Sequence, residues 1–353
     1  MKLVGIGDPF IHYEQIRKCF APFKQRGVQV KGLNWALSGY QELQNINSLI
    51  EMHGCKEYDP PEYIYKAVRD ADIIVTQFCP LTKKLIDRCG NLKIIGVLRG
   101  GVDNVDVKHA TEKTVLVYNT PGRNSDSVAD FTIGMMICEC RNIARGHLGL
   151  KEGQWLREYP NSGSIPDLPG KTVGIIGLGE IGKKIARRLI GFDVKLLGYD
   201  PFVKNPPHGL EMVELDRLFA QSDIITIHVR LDKSTDGLIN SDLIKRMKSS
   251  AYLINTSRSR LVDEDALYEA LRNRRIAGAA LDVFSIEPTG KDYPLVALDN
   301  VTVTPHMAGA SNDSYSNSPY LLANEMITIW DGKISHFIVN KQIFGEVAEY
   351  FTY

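Results

Sequence analysis

The stretch TVGIIGLGEIG, residues 172–182, decides the fold. A nearly continuous apolar run leads straight into Gly177, Gly179 and Gly182, and a helical pattern follows over residues 181–191. This is G-x-G-x-x-G in the setting where it carries meaning, a buried strand opening into a helix. The first glycine permits the tight turn, the second lets a pyrophosphate approach the backbone, and the third lets the helix pack close to the strand. The helix start offers free N–H groups and a positive dipole end to phosphates. The bland alternative is a glycine turn that packs a helix and binds nothing. The next strand pattern, VKLLGYD, weighs against it, because it ends in Asp200, eighteen residues beyond Gly182. A carboxylate there accepts hydrogen bonds from ribose hydroxyls and repels the extra phosphate of NADP. Pro201 and Phe202 follow, with no arginine beside Asp200, so NAD is the expected cofactor.

Outward from this motif, short β-branched runs alternate with longer helical patterns. KLVGIG, ADIIVTQ, KIIGVL and VLVYN form a first series of strand candidates before the motif. TVGIIG, VKLLGYD, IITIHV, AYLINTS, AGAALDV and VTVTPH form a second. Continuous apolar runs fit parallel strands buried on both faces. The alternation predicts an α/β protein with two doubly wound domains. Gly5 and Gly7 lack a third glycine and read as a strand end. The longest unbroken helical pattern covers residues 125–144. After it, residues 151–171 read as an irregular arm whose Trp155 and Tyr159 are expected to be covered by something.

A length of 353 residues suggests about two domains. Lys plus Arg is 42 and Asp plus Glu is 42, so no global field draws the chain to nucleic acid or anionic lipid. No apolar stretch is long enough to span a membrane. The six cysteines have no zinc-like spacing, so no metal is expected, and they read as reduced buried thiols of a cytoplasmic protein.

Three strand ends carry polar residues that a buried sheet does not otherwise need. Arg258 follows LINTS, Asp282 and Glu287 follow AAL, and His306 follows VTVTP. Ligands of open α/β sheets bind outside the carboxyl ends of the strands, so these groups are placed to converge. Separately they read as a surface ion pair, a solvated carboxylate and a core histidine. Together they fit the oxidation of a 2-hydroxy acid. His306 takes the hydroxyl proton. Glu287 fixes the histidine tautomer and raises its pKa. Arg258 holds the substrate carboxylate with a planar fork.

The order and spacing of Gly177 to Gly182, Arg258, Asp282, Glu287-Pro288 and Thr304-Pro305-His306 resemble the D-2-hydroxyacid dehydrogenase family, in its 3-phosphoglycerate dehydrogenase-like branch. The resemblance covers about residues 71–331. It implies a Rossmann NAD-binding domain, about residues 119–310, inserted into a flavodoxin-like substrate domain, residues 1–118 with 311–353. It implies a homodimer contacting through residues 125–171. It places Glu180 and Ile181 at the pyrophosphate, Thr256 beside the nicotinamide and Asp282 at its amide. It also implies that Gly100 and Gly101 offer amides to the substrate carboxylate and that the 76–82 loop faces the same cleft.

Two departures stand out. Ser259 follows Arg258 where the family commonly has glycine, with Arg260 next. Arg99 occupies a position where many members have glycine. It reads either as a structural ion pair or as an added grip on a sugar-derived or phosphorylated acid. No C-terminal regulatory domain is expected, since the chain stops at Tyr353 shortly after its last helix. The leading expectation is an NAD-dependent dehydrogenase of a D-2-hydroxy acid. The alternatives are 3-phosphoglycerate dehydrogenase proper and an NAD(H)-sensing, corepressor-like binding protein.

Overall fold

The computed structural model describes residues 1–351, so the last residue, Tyr353, lies outside the described part. The chain divides into two compact units, Met1–Arg123 with Ser311–Tyr353, and Asn124–Ala310.

The first unit is built on β1 (Lys2–Gly7), β2 (Gln29–Asn34), β3 (Ile73–Thr76), β4 (Ile94–Val97) and β5 (Leu116–Tyr118). All pairings are parallel, in the order β2-β1-β3-β4-β5, the flavodoxin-like winding. Strand residues alternate between two cores: Val4, Ile74, Ile95 and Val117 face one, while Leu3, Ile73, Ile94 and Leu116 face the other. Sequence reading passed over β2, and the reason is visible. It is an edge strand, QVKGLN, in which only Val30 is buried.

The second unit holds β6 (Thr172–Ile176), β7 (Lys195–Tyr199), β8 (Leu210–Met212), β9 (Ile224–Ile227), β10 (Tyr252–Asn255), β11 (Gly278–Leu281) and β12 (Val301–Val303). Its parallel order is β12-β11-β10-β9-β6-β7-β8. Counted within the unit this is the Rossmann order, extended by one strand. The switch point lies between β6 and β9, beside the glycine turn. The helix after that turn, Glu180–Leu189, buries Ile185, Ala186 and Leu189 completely. Each large aliphatic so buried contributes roughly 1.5–3 kcal/mol.

The first break between units falls at Arg123 rather than at residue 118, because the chain beyond β5 is still tied to the first sheet. Asn119 N–H donates to the Phe337 carbonyl at 3.0 Å, and Thr120 N–H to that of Arg99 at 2.9 Å. The expected helix over 125–144 is two helices, Ser125–Cys140 and Ile143–Lys151. Asn142 breaks it with φ of 56°, a left-handed conformation that asparagine tolerates. Its side-chain amide donates to Asn161 Oδ1 at 2.7 Å. Beyond Lys151 the arm is irregular as far as Lys171, and within this chain Trp155 is 80% exposed rather than covered.

The cysteines are all free, but only Cys79, Cys89 and Cys140 are buried; Cys19, Cys55 and Cys138 are partly accessible. Among the described residues no helix is long and apolar enough to cross a membrane, and no cluster of side chains could hold a metal.

Candidate active site

In the second unit, β10, β11 and β12 lie side by side and release their polar residues at the same edge. Asp282 leaves β11 fully buried. It accepts from Thr304 Oγ1 at 2.5 Å, Met307 N–H at 3.0 Å and Ala308 N–H at 2.8 Å. These bonds clamp the turn after β12, in which His306 takes φ of 49°. The clamped turn presents the imidazole to Glu287, with Nδ1 and Oε2 2.7 Å apart. The other carboxylate oxygen of Glu287 accepts Phe284 N–H at 2.9 Å.

Burial alone pushes the Glu287 carboxyl up. The His306 hydrogen bond and charge, the Phe284 N–H and the Arg258 charge outweigh it and hold the carboxyl below its usual range. The Glu287 hydrogen bond pushes His306 above the ordinary imidazole value, against burial and the Arg258 charge. Arg258 is therefore close enough for both partners to feel it. It is exposed, and among the described residues its only hydrogen bond from the guanidinium goes to its neighbour's carbonyl, Ser257 O, at 2.7 Å. Arg260 is otherwise engaged, paired with Asp236. The structure thus gathers Arg258, Glu287 and His306, and among the described residues Nε2 of the histidine has no hydrogen-bond partner.

The glycine turn has the constraints a dinucleotide cradle requires. Gly177 has φ of 90°, and a Cβ there would lie 2.6 Å from the His228 backbone. A Cβ on Gly182 would lie 2.0 Å from the Gly177 carbonyl oxygen. At Gly179 a Cβ would meet nothing within 4 Å, so the second glycine borders open space at the helix start, with Glu180 exposed and Ile181 half-buried beside it. Asp200 accepts from Leu178 N–H at 2.8 Å and Phe202 N–H at 2.9 Å, which holds it against the turn. Each oxygen keeps a lone pair for a ribose hydroxyl. Thr256, 7% exposed, shares a hydrogen bond of 2.8 Å with Thr132, whose hydroxyl donates to Val128 O.

Sequence reading missed His228. It follows β9 at the switch point, packs its backbone against Gly177, and bonds Thr226 Oγ1 through Nε2 at 2.8 Å. Burial pushes its pKa down to about 3, so it is neutral, and Nδ1 is buried without a partner. The rule that singled out Arg258 and His306, a polar residue at the end of a buried strand, applies to it equally.

The family model for the D-isomer specific 2-hydroxyacid dehydrogenase NAD-binding domain matches residues 133–308. Glyoxylate reductase from Thermofilum pendens is 38% identical over 304 residues, covering 83% of this chain and 89% of that protein. The chain belongs to the D-isomer specific 2-hydroxyacid dehydrogenase family. D-3-phosphoglycerate dehydrogenase from Methanocaldococcus jannaschii is also 38% identical, over 79% of this chain, but the match spans only 53% of that longer protein. A D-isomer specific 2-hydroxyacid dehydrogenase from Lactobacillus delbrueckii ssp. bulgaricus, solved with NAD, shares the fold. Its TM-score is 0.77 at 23% identity, over 96% of this chain and 100% of that one. The protein is an NAD-dependent oxidoreductase, and its second unit carries the family's NAD-binding domain.

One expectation for this dehydrogenase needs correction. Arg99 is not a grip for substrate. It is 8% exposed, ion-paired to Glu51, hydrogen-bonded to Asn47 and stacked 5.0 Å over the Phe78 ring. Its fork is spent on the helix Tyr40–His53, whose residues lie some fifty positions earlier in the chain. Every residue of the segment from Thr76 to Thr82 is buried. Asp282 is 0% exposed and accepts from three donors of its own unit. Gly100 and Gly101 lie in a loop, the first exposed and the second half-buried. Among the described residues neither amide N–H has a hydrogen-bond partner.

Proposed function

We propose that the protein interconverts a D-2-hydroxy acid and its 2-oxo acid with His306 as the proton carrier, Glu287 as its anchor and Arg258 as the grip on the substrate carboxylate. The observation that carries this reading is the 2.7 Å His306–Glu287 bond within reach of the Arg258 charge. Bound NAD supplies the hydride acceptor, or in reverse the donor, facing C2. Glu287 accepts from Nδ1–H, which leaves Nε2 as the atom that takes the hydroxyl proton on oxidation and returns it on reduction. Arg258 makes two parallel N–H bonds to the carboxylate and fixes the face that C2 presents. By the family resemblance, Gly100 and Gly101 offer amide N–H groups to a substrate carboxylate. Gly177, Gly179, Gly182, Glu180 and Ile181 cradle the pyrophosphate, Asp200 takes the ribose, and Thr256 and His228 line the rest of the cofactor site.

The test is NADH oxidation on adding glyoxylate, followed against pH. Reduction needs the imidazolium, so its rate should hold on the acid side and fall as pH rises through the raised His306 pKa. Oxidation of glycolate should show the opposite slope. Absence of turnover, or parallel slopes in both directions, would count against His306 as the carrier.

We further propose a homodimer formed through the helix Ile143–Lys151 and the arm after it. Ile143, Leu148, Leu150, Trp155 and Leu156 are large apolar side chains exposed in that one stretch. Sedimentation should give twice the chain mass, and Trp155→Asp should shift it toward the monomer; a monomeric wild type refutes the assignment. The unpaired thiols fit the reducing cytoplasm.

A further inference from the structure

Glu287 sits in a segment that the core does little to hold. Beyond Phe284 the chain is exposed at Ser285, Ile286, Pro288 and Gly290. Among the described residues no N–H from Ser285 to Asp292 donates to a backbone carbonyl. A cavity of about 490 Å³ borders Ser285 and Tyr293, so packing leaves that side of the segment unsupported. Yet the aim of the carboxylate depends on this backbone. Glu287 Oε1 takes the Phe284 N–H at 2.9 Å, while Oε2 meets Nδ1 of His306.

Two side chains tie the segment down. Glu264 opens the helix Glu264–Arg272, which is anchored by the buried Leu267 and Leu271. Its Oε1 accepts the Ser285 N–H at 3.2 Å, and its Oε2 accepts the hydroxyl proton of Tyr293. A hydroxyl has one proton, so the Tyr293 oxygen is left as an acceptor. It takes the Ser285 Oγ–H at 2.6 Å and shares the Ser285 N–H at 3.3 Å. The Tyr293 ring stands edge-on to that of Phe284, with centroids 5.6 Å apart and planes at 79°. Tyr293 is itself fixed, since its N–H donates to Gly290 O at 3.1 Å and its carbonyl accepts Val296 N–H at 2.9 Å. The grips fall on either side of Phe284. Glu264 and Tyr293 hold the peptide that follows it, and the peptide that precedes it holds Glu287.

Much depends on that hold. A misplacement of about 1 Å costs on the order of a hundredfold in rate. The Glu287 hydrogen bond is also the chief cause that raises the His306 pKa. A carboxylate that drifts loses both effects together.

We propose that Glu264 and Tyr293 are positioning residues for the reaction, holding the Glu287 carboxylate on the His306 imidazole through Ser285 and Phe284. The proposal rests on the proton-carrier reading of His306 and extends it to two residues that hydrogen-bond neither member of the pair.

Tyr293→Phe keeps the ring against Phe284 and deletes the hydroxyl that links Glu264 to Ser285. With NADH and glyoxylate, kcat should fall about tenfold, while KM for glyoxylate and NADH affinity stay unchanged. The fall in reduction rate with rising pH should move to lower pH, because the imidazolium loses part of its hold on Glu287. Titration of the His306 ring proton by NMR should show the same shift without substrate. Glu264→Gln keeps an acceptor for Ser285 N–H and should give a smaller shift in the same direction. Added to Glu287→Gln, Tyr293→Phe should move the midpoint no further, since residues that act through one carboxylate are not additive. A Tyr293→Phe enzyme that melts lower but keeps the wild-type midpoint overturns the proposal, because the hydroxyl then only braces the loop. So does one whose full shift adds to that of Glu287→Gln. Should Tyr293→Phe fail to fold, Glu264→Gln decides by the same midpoint. If Glu287→Gln alone leaves the midpoint in place, the proton-carrier reading fails. If it moves the midpoint and Tyr293→Phe does not, only the positioning role fails.

Discussion

Replacing His306 by asparagine is expected to lower kcat by about 10²–10⁴ while leaving NADH affinity unchanged, the range a positioned acid–base accounts for. Asparagine is the informative choice because His306 sits at φ of 49°, a region in which asparagine is at ease and alanine is strained. The fold loses little. The His306–Glu287 pair is 40% and 32% exposed at the side chains, and exposed pairs of this kind contribute about 0–1 kcal/mol. Fluorescence titration with NADH and a thermal melt should therefore match the wild type, while single-turnover rates collapse. Glu287→Gln gives the complementary result. With the carboxylate gone, the main cause that raises the His306 pKa is gone too, so the fall in reduction rate should move to lower pH. Equal loss of cofactor binding and turnover in His306→Asn would instead mean that the residue only holds the loop.

The success and failure of sequence reading here have one physical origin. Buried parallel strands are recognisable because they are apolar on both faces, so β10 and β11 could be read directly, the short apolar edge strand β12 beside them as well, and their polar ends stood out. Arg258, Glu287 and His306 were legible for that reason. His228 sits at an equivalent strand end but lacked a neighbouring motif to draw notice. Arg99 failed differently. Its partners Glu51 and Asn47 come from a helix about fifty residues away, and no local spacing announces an ion pair closed by the fold. Edge strands such as β2 and β8 are short and only partly buried, so they leave no apolar run to see. The break at Asn142 is likewise a property of one backbone angle, whose side-chain partner Asn161 lies in the irregular arm.

Gly182→Ala and Gly179→Ala should separate the structural and the ligand roles of the glycine turn. At Gly182 the added Cβ would stand 2.0 Å from the Gly177 carbonyl oxygen, a backbone atom that cannot swing aside. Gly177 is itself pinned, since its N–H donates to Tyr199 O at 2.8 Å and its α-carbon abuts the His228 backbone. The helix Glu180–Leu189 must then lift off β6, loosening Ile185, Ala186 and Leu189. Overpacking of this sort costs about 1–3 kcal/mol, and in a unit of this size that corresponds to a Tm lower by roughly 3–10 °C. NADH binding should fall with it, because the helix-start amides move. At Gly179 the same methyl meets only open space and the backbone has φ of −70°, which any residue adopts. Gly179→Ala should melt close to the wild type yet bind NADH far more weakly, since the methyl occupies the ground over which the pyrophosphate must approach. A Gly179 variant with undiminished NADH affinity would place the pyrophosphate elsewhere, and a Gly182 variant with an unaltered melt would mean that the contact between turn and helix yields more easily than the two backbone segments allow.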